Sequence, residues 1–473
     1  MLKGHTKIIL KDVATGREEV HEDNNLVTAA LNKIINIEMA MNRAPNTDIL
    51  PIATNALGGL MLFDGTLDES ESNIHFPVDA HLVGYGDQNV NTTDKFRGSY
   101  NAQESGKTEN GYVSTWDFGT SQANGTIKAV ARTHKWGGQN PLRFMKSSIF
   151  AGTSSGVPQT DYAWQPIRYD GTYLYLLKGD SGTHVMRLAR VKVPRMSFGA
   201  ADYSDVARTY EVIASWSTEV FTYTYYNNEQ HSIAYEQTVY ADDPQMYEDG
   251  QDGYIYCMWY KVYSRITDFN YDINYFTIKY SDDSYDKSDT VHLNSGTSYY
   301  TDAGAYSVHY ARRYFGHVNH GILYRFSNSR KIVYAIPLNN VASYRAVRVL
   351  ADDSPDYLAN MMRIAPHNGG IFYIVFHYTQ TSYFYQNGIL YPDGVFVTIE
   401  VEGTGDQNYW DYLRTNDDDL TVWSSYYSTE YMTARCDWAS NYLGTINNLT
   451  SPITKTAAQT MKIVYTLTDT DEE

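Results

Sequence analysis

The sequence predicts a mainly β protein, and three observations carry this prediction. Tyrosine is unusually frequent, with 44 residues against 37 lysines and arginines together, and it favours pleated, half-buried positions in strands. Gly, Asn, Asp, Ser and Thr interrupt almost every apolar run, which is typical of short strands joined by turns. In addition, a turn followed by an aromatic strand recurs through the middle of the chain.

The recurring turn-aromatic phrase predicts a repeated structural unit. It is clearest in YDGTYLYLL at 169–177 and DGYIYCMWY at 252–260, and looser in HGILYRF at 320–326 and NGGIFYIVF at 368–376. Units of about 40–50 residues with several strands each are typical of propeller blades, which bury their faces only against neighbouring blades. We therefore predict a β-propeller-like insert of about five or six blades, in which each phrase begins an inner strand. A large β-sandwich is the alternative insert.

Two hairpins are predicted in the N-terminal part. TKIILKDV, ATG and REEVH at 6–21 are two extended segments around a turn that suits Gly16. GYVSTWDFGTSQANGTIKAVART at 111–133 contains Asn124-Gly125, a strong turn signal between two strand patterns. Between the hairpins, GGLMLFDGTL at 58–67 predicts a short apolar strand and a turn.

One helix is predicted, in DNNLVTAALNKIINIEMAMNR from residue 23 onward. Asp23, Asn24 or Asn25 would cap its N-terminus, and Pro45 would end it. Its apolar stripe, at spacings of three to four, consists of Leu31, Ile34, Ile35 and Met39. We expect this helix to pack on a sheet.

The last strand predicts that the chain returns to its first domain. TMKIVYTLT at 460–468 alternates apolar and polar residues, so one face is expected to be buried. Such a strand is not stable alone. Its residue pattern is like that of the N-terminal hairpins and unlike that of the Tyr-rich middle of the chain. We therefore predict a split domain, 1–160 plus 432–473, interrupted by the insert at 161–431.

Charge and composition exclude several classes of protein. The net charge is −18, which argues against binding to a phosphate backbone because that interaction depends on dense Lys and Arg. No apolar stretch approaches the roughly 20 residues that span a bilayer, and MLKGHTKIILKD has no apolar signal core. Cys257 lies in an aromatic strand pattern and is expected to be a buried free thiol, although a bridge to Cys436 stays open.

Short motifs do not predict a catalytic or metal site. GTSSG at 152–156 matches a nucleophile elbow, but Val157-Pro158 follows where a helix should begin. His317 and His320 lack further ligands at metal spacing. Acidic clusters at 281–286, 351–356 and 416–420 do not follow the calcium-loop pattern. We therefore expect no cofactor, with structural Ca²⁺ in one acidic loop left open.

Aromatic residues among polar neighbours are the predicted ligand-binding residues. TYTYYNNEQH at 222–231 and VWSSYYSTEY at 422–431 place flat rings beside Asn, Glu and Ser, which suits sugar faces or protein partners. Packing between strands is the alternative role for each ring. The candidate residues are Tyr225, Tyr226, Trp423, Tyr426 and Tyr427.

The amino-acid sequences of both chain ends resemble a known family of proteins. The N-terminal segments are GHTKIILKDVATGREEVHEDNNLVTAAL, GGLMLFDGTLDE, HFPVDAHLVGYGD and ENGYVSTWDFGTSQANGTIKAVART, and the C-terminal one is NYLGTINNLTSPITKTAAQTMKIVYTLT. They resemble tail proteins of phages and prophages of Gram-positive bacteria, over roughly residues 1–135 and 438–468. The family resemblance is least in the middle of the chain, and it brings no catalytic residues.

The resemblance implies a virion protein of the distal tail, assembled in the cytoplasm of the bacterial host. It would be a tail fibre or receptor-binding component that contacts other tail proteins through the split domain. The insert would contact a host-surface glycan or protein, with avidity from repetition in a homo-oligomer. A polysaccharide-degrading tail enzyme and a purely structural baseplate or collar protein are the alternatives.

Overall fold

A computed structural model describes strands in both parts of the chain. The described residues are 2–33, 52–77, 79–88, 90, 94–135, 165–170, 173–180, 182–192, 211–217, 220–227, 232–240, 246–262, 271–280, 284–294, 317–326, 332–340, 343, 345–348, 362–367, 371–377, 385–391, 393, 395–399, 412–415, 420–427, 432–438 and 442–469.

The described residues form 31 strands and little helix. The first eight strands are β1 (Leu2–Asp12), β2 (Glu18–Val27), β3 (Gly59–Phe63), β4 (Leu82–Gly86), β5 (Arg97–Tyr100), β6 (Gly106–Thr108), β7 (Gly111–Phe118) and β8 (Gly125–Thr133). The next ten are β9 (Gln165–Tyr169), β10 (Tyr173–Asp180), β11 (Val185–Lys192), β12 (Glu211–Ser217), β13 (Val220–Asn227), β14 (Ser232–Tyr240), β15 (Met246–Asp249), β16 (Tyr254–Val262), β17 (Tyr271–Lys279) and β18 (Val291–Asn294). The remaining thirteen are β19 (His317–Asn319), β20 (Ile322–Phe326), β21 (Ile332–Pro337), β22 (Arg345–Arg348), β23 (Met362–His367), β24 (Ile371–His377), β25 (Tyr385–Leu390), β26 (Phe396–Ile399), β27 (Tyr412–Thr415), β28 (Thr421–Tyr427), β29 (Met432–Trp438), β30 (Thr445–Lys455) and β31 (Gln459–Asp469). The described helical segments are residues 30–33 and a π-helical turn, Ile52–Ala56.

Strands from both ends of the chain form one closed barrel. The sheet order is β31-β1-β2-β30-β8-β3-β4-β5-β7-β6, and β7 also pairs with β31, which closes nine of the strands into a ring. Every pairing is antiparallel except β4 with β5. The prediction of a split terminal β domain is therefore confirmed.

The last strand is an integral part of the barrel. It pairs with β1 from Leu2 to Asp12 and with β7 from Gly111 to Phe118. Its apolar face is buried as the alternation predicted, and the buried side chains are those of Met461, Ile463, Tyr465 and Leu467. They join one core with Ile8 and Leu10 of β1. Because both edges of β31 are paired, the split domain is a single hydrogen-bonded unit.

The predicted pairing of the two strands around Asn124-Gly125 is wrong. Both strands exist, but β7 pairs with β31, β5 and β6, whereas β8 pairs with β3 and β30. The connection through Asn124-Gly125 therefore crosses from one wall of the barrel to another. Gly125 has φ +146°, so the local backbone does adopt a conformation that favours glycine. The first hairpin is confirmed, with Gly16 at φ +69°.

The predicted helix cap is also wrong. Asp23, Asn24 and Asn25 lie in β2, where Asn24 and Asn25 face His5 and Gly4 of β1. The Thr6 hydroxyl donates to Asn25 Oδ1 at 2.9 Å, so cross-strand pairing takes the polar groups that a helix cap would have used. Helical backbone begins at residue 30, and Ile34, Ile35 and Met39 lie outside the described residues.

The insert consists of consecutive antiparallel sheets. Their orders are β12-β11-β10-β9, β15-β16-β17-β18, β19-β20-β21-β22, β23-β24-β25-β26 and the three-stranded β27-β28-β29, and β13-β14 form a separate pair. We number the five larger sheets 1 to 5 in this order. β29 pairs with β28 along its length, although the predicted domain boundary falls just before it. The predicted boundaries and blade count stay predictions.

The five sheets are arranged side by side through their first strands. β9 contacts β15, β15 contacts β19, β19 contacts β23, and β23 contacts β27. Small sheets that adjoin through one strand each are blades, whereas a sandwich would merge its strands into two sheets. The insert is therefore β-propeller-like. Because β9 contacts β15 directly, the β13–β14 hairpin is not a blade between them.

The recurring phrase begins a strand inside its sheet, and not the strand through which neighbouring sheets adjoin. The aromatic strands that it begins are β10, β16, β20 and β24, and each is the second strand of its sheet. The neighbouring sheets adjoin through the strand that precedes the phrase. The phrase therefore marks the turn from the first strand to the second, because the turn needs Asp and Gly.

Candidate functional site

The recurring turns lie on one face of the insert. In an antiparallel meander, the turn after the first strand and the turn after the third strand lie at the same edge. Contacts between the ends of β9 and β15 and between the ends of β15 and β19, described below, indicate that the first strands of sheets 1 to 3 run in the same direction. We call this edge the turn face; its described residues are 170, 250–253, 280, 284–290, 320–321, 338–340, 391, 393 and 420.

An Asp-to-Tyr hydrogen bond repeats on the turn face. Asp170 accepts from the Tyr173 amide at 2.7 Å and from the Tyr175 hydroxyl at 2.8 Å. Asp252 accepts from the Tyr254 amide at 3.3 Å and from the Tyr256 hydroxyl at 2.8 Å. Each carboxylate thereby closes its turn and fixes the first aromatic residues of the strand that follows.

Burial and these carboxylates raise the pKa of the two tyrosines that donate to them. Burial is the main cause that raises the pKa of Tyr175, and hydrogen bonds with Tyr285 and Asp170 add to it. Burial followed by the negative charge of Asp252 raises the pKa of Tyr256. Both phenols therefore remain protonated donors well into the alkaline range.

A second network joins sheet 1 to sheet 2. Arg168 Nε of β9 lies 3.5 Å from Asp249 Oδ2 of β15, and the Tyr280 hydroxyl donates to the other Asp249 oxygen at 2.6 Å. The Arg168 guanidinium lies over the Tyr280 ring, 4.0 Å from its centroid. The carboxylate is thus held by two donors from two sheets, which fixes their relative position on the turn face.

The main chain of sheets 2 and 3 is also joined. The His320 amide donates to the Gly250 carbonyl at 2.6 Å. Gln251 and His320 have φ of 59° and 46°, in the left-handed region that non-glycine residues seldom adopt. Such backbone persists only where surrounding contacts hold it, so the turns form a fixed surface.

The turn face is exposed in one sector and covered in another. Asp170, Asp286, Asp289 and His320 are exposed, and Tyr254 is 36% exposed. In sheets 4 and 5, by contrast, the turn-face side chains of Tyr391 and Leu420 are buried. Tyr391 packs on Phe76 of the barrel part, and Leu420 belongs to the barrel core cluster. Among the described turn-face residues of sheets 4 and 5, the barrel part therefore covers Tyr391 and Leu420, whereas the Asp393 side chain is 53% exposed.

The predicted binding residues are distributed over two strands. Tyr225 and Tyr226 lie in β13, which pairs with β14 and has a register shift between them. Trp423 lies near the start of β28, close to the turn face, whereas Tyr426 and Tyr427 end that strand at the opposite edge. The structure describes only the backbone of these five residues, and their role in binding stays a prediction.

The other motifs are placed as follows. GTSSG and the acidic cluster at 351–356 lie outside the described residues. His317 begins β19, and His320 lies in the turn after it. Within the described residues there is no group of three or more His, Cys, Asp or Glu that could hold a metal ion. Cys257 is a buried free thiol, as predicted, and burial raises its pKa well above the ordinary value.

Sequence analysis missed the network residues of the turn face. Arg168 and Asp249 are far apart in the chain, and no local pattern relates them. Asp170 and Asp252 could have been found, because an Asp precedes a Tyr by five and by four residues in two copies of the same phrase. We interpreted that phrase only as a turn followed by a packing strand.

Comparisons with known proteins add little to this geometry. Neither a protein-family model nor a curated protein matches the chain. Solved structures with some likeness include the β-propeller domain of the Trilobed protease from Pyrococcus furiosus, at 10% identity and TM-score 0.23, covering 75% of this chain and 96% of that one. The match to a prolyl endopeptidase covers 72% of this chain and 50% of the endopeptidase chain, at 12% identity and TM-score 0.27. An ulvan lyase of polysaccharide lyase family 25 covers 72% and 92% at 9% identity and TM-score 0.23. With TM-scores below 0.5, these likenesses support no statement about activity. No described helix could cross a membrane.

Proposed function

We propose that this chain is a tail protein of phages or prophages of Gram-positive bacteria, and that it binds a glycan or protein of the host surface. The barrel would attach the chain to other tail proteins, and the exposed sector of the turn face would contact the host. The family resemblance of the two chain ends supports the first part, since those ends build the barrel.

One observation carries the second part of the proposal. The barrel part packs on the turn face at Tyr391 and Leu420 of sheets 4 and 5. Turn residues of sheets 1 to 3 are exposed, with Tyr254, Asp170 and His320 at the surface. A fixed surface that combines aromatic rings with carboxylates and amides suits sugar hydroxyls or a polar protein surface. Its acidic residues disfavour a polyanionic ligand.

Particles that carry altered chains test the proposal. Substituting Tyr254→Ser and His320→Ser together is expected to lower adsorption to host cells by about 10- to 100-fold, because loss of a weak site is multiplied in a multivalent particle. Val212→Ser is the matched control, since Val212 is 47% exposed on the outer strand of sheet 1. Normal assembly with unchanged adsorption of the double variant would contradict a receptor role for the turn face.

Deletion of the insert tests the division of roles. We expect particles lacking the insert to assemble but not to adsorb, whereas failure to find the chain in particles would contradict the tail assignment. Incubation of the purified protein with host-wall polysaccharide separates binding from the enzymatic alternative. New reducing ends would show a polysaccharide-degrading activity instead of binding alone.

A further inference from the structure

A single turn of the insert is seated on the barrel part of the chain. Tyr391, between β25 and β26, is completely buried. Its ring lies edge-on to His81 at 4.5 Å and near Phe76 at 6.2 Å, and its hydroxyl accepts the Leu82 amide at 2.9 Å. This apolar anchor, with one hydrogen bond to a barrel strand, places the neighbouring polar residues of the turn against the barrel.

His81 lies between two carboxylates that belong to the two parts of the chain. Its Nδ1 is 3.1 Å from Asp64 Oδ2, in the loop after β3. Its Nε2 is 2.8 Å from Asp393 Oδ2, in the β25–β26 turn. The His81 side chain is 27% exposed, so solvent protons reach it.

The two contacts suit a protonated imidazole. Neutral imidazole has one N–H donor and one lone pair, whereas the imidazolium ion has two donors. Ionised carboxylates only accept hydrogen bonds. If His81 were neutral, either Asp64 or Asp393 would face a lone pair at hydrogen-bond distance, which is repulsive. Only the imidazolium satisfies both contacts at once.

We propose that His81 is a pH-sensitive clamp between the barrel and the insert. The clamp is closed while His81 is protonated and both aspartates are ionised. It weakens as rising pH removes the imidazolium proton, because one of the two ion pairs is then lost. The inference does not depend on the proposed function.

The groups around His81 remain in place when its charge changes. Asp64 Oδ1 accepts the His81 amide at 2.7 Å, and Asp393 Oδ1 accepts the Val395 amide at 3.0 Å. Both carboxylates are thus held by main-chain donors whatever the state of the imidazole. Asp64 of the barrel part and Asp393 and Tyr391 of the insert face His81. Since the Tyr391 anchor is independent of charge, loss of the proton loosens the contact and does not separate the two parts.

Hydrogen exchange of the Leu82 amide tests the clamp in the full chain. Protection of the peptide that carries residues 79–86 is compared at about pH 6 and about pH 8, after correction for the intrinsic pH dependence of exchange. We expect about two- to fivefold less protection at the higher pH, as for the loss of a partly exposed ion pair. Equal corrected protection at the two pH values in the wild-type chain would overturn the proposal.

Two variants and a control assign the effect to this residue. His81→Gln and Asp393→Asn should each abolish the pH difference, and the second changes a side chain that is 53% exposed, so folding is retained. His21→Gln is the matched control, because His21 pairs with Glu19 at 2.9 Å within β2 of the barrel; it should keep the difference. A pH difference that persists in Asp393→Asn would refute the clamp.

Discussion

Arg132 of the barrel and Arg168 of the insert both lie over aromatic rings, and different partners hold them. Arg132 of the barrel is completely buried, lies 4.5 Å from the Trp116 ring and 4.3 Å from the Tyr465 ring, and donates to main-chain carbonyls of Leu57 and Gly59. Arg168 of the insert keeps 22% exposure and faces the Asp249 carboxylate. The comparison shows one arginine held by main-chain acceptors inside the barrel and one held by a carboxylate at the joint of two sheets of the insert.

The electrostatic consequences of the two settings differ as well. Burial lowers the pKa of Arg132 to about 10, and nearby phenols act against that shift. Arg168 instead shares a carboxylate with Tyr280, whose pKa is raised by burial and by the Asp249 charge. In the barrel, hydrogen bonds to main-chain carbonyls offset the cost of burying the Arg132 cation. In the insert, the Arg168 cation is paired with the Asp249 carboxylate at the joint between two sheets.

The largest expected effect is that of Arg132→Met. The substitution keeps an apolar chain between the two rings but removes both donors, so the carbonyls of Leu57 and Gly59 lose their side-chain partner. We expect a loss of about 2–3 kcal/mol in the free energy of unfolding, measured by chemical denaturation. Lys128→Met on the same strand is the control, with a change under about 0.5 kcal/mol. An unchanged midpoint for Arg132→Met would show that the barrel does not need this cation.

A smaller effect is expected for Arg168→Met. Asp249 would keep Tyr280 as a donor but lose its cation at the joint of sheets 1 and 2, at a cost of about 1–2 kcal/mol. Arg190→Met is the matched control, since Arg190 also lies over a tyrosine, Tyr173, but pairs with the exposed Glu211. Equal denaturation midpoints for the two variants would mean that the joint contributes no more than a surface pair.

The smallest effect at neutral pH is expected for Tyr256→Phe. Loss of the hydrogen bond to Asp252 should cost about 1 kcal/mol. The folded-state pKa of Tyr256 is raised above the value in the unfolded chain. The phenol therefore stabilises the folded chain fully below about pH 10, and this contribution falls as the unfolded chain ionises above that pH. Denaturation as a function of pH should show a shallower alkaline decline for Tyr256→Phe. Tyr254→Phe, at a more exposed ring, should keep the wild-type slope.

Sequence patterns predicted the parts of this fold that local chemistry determines. The alternation in β31 predicted its buried face, and Gly16 predicted the first turn. The pairing partners were not predictable in the same way. Asn124-Gly125 carries a hairpin signal, yet β7 and β8 belong to different walls because β31 and β30, from the far end of the chain, take the positions beside them. Arg168 with Asp249, and His81 with Asp393, are likewise brought together only by the tertiary arrangement.

The position of β31 has a consequence for synthesis of the chain. Its partners β1 and β7 are made first, and each keeps an open hydrogen-bonding edge while some 340 further residues emerge, from Phe118 to Gln459. The blades, whose strands are neighbours in sequence, can form during that interval. β31 must therefore be synthesised before the barrel can close, so a product truncated before β31 would retain two unpaired strand edges and be prone to aggregate.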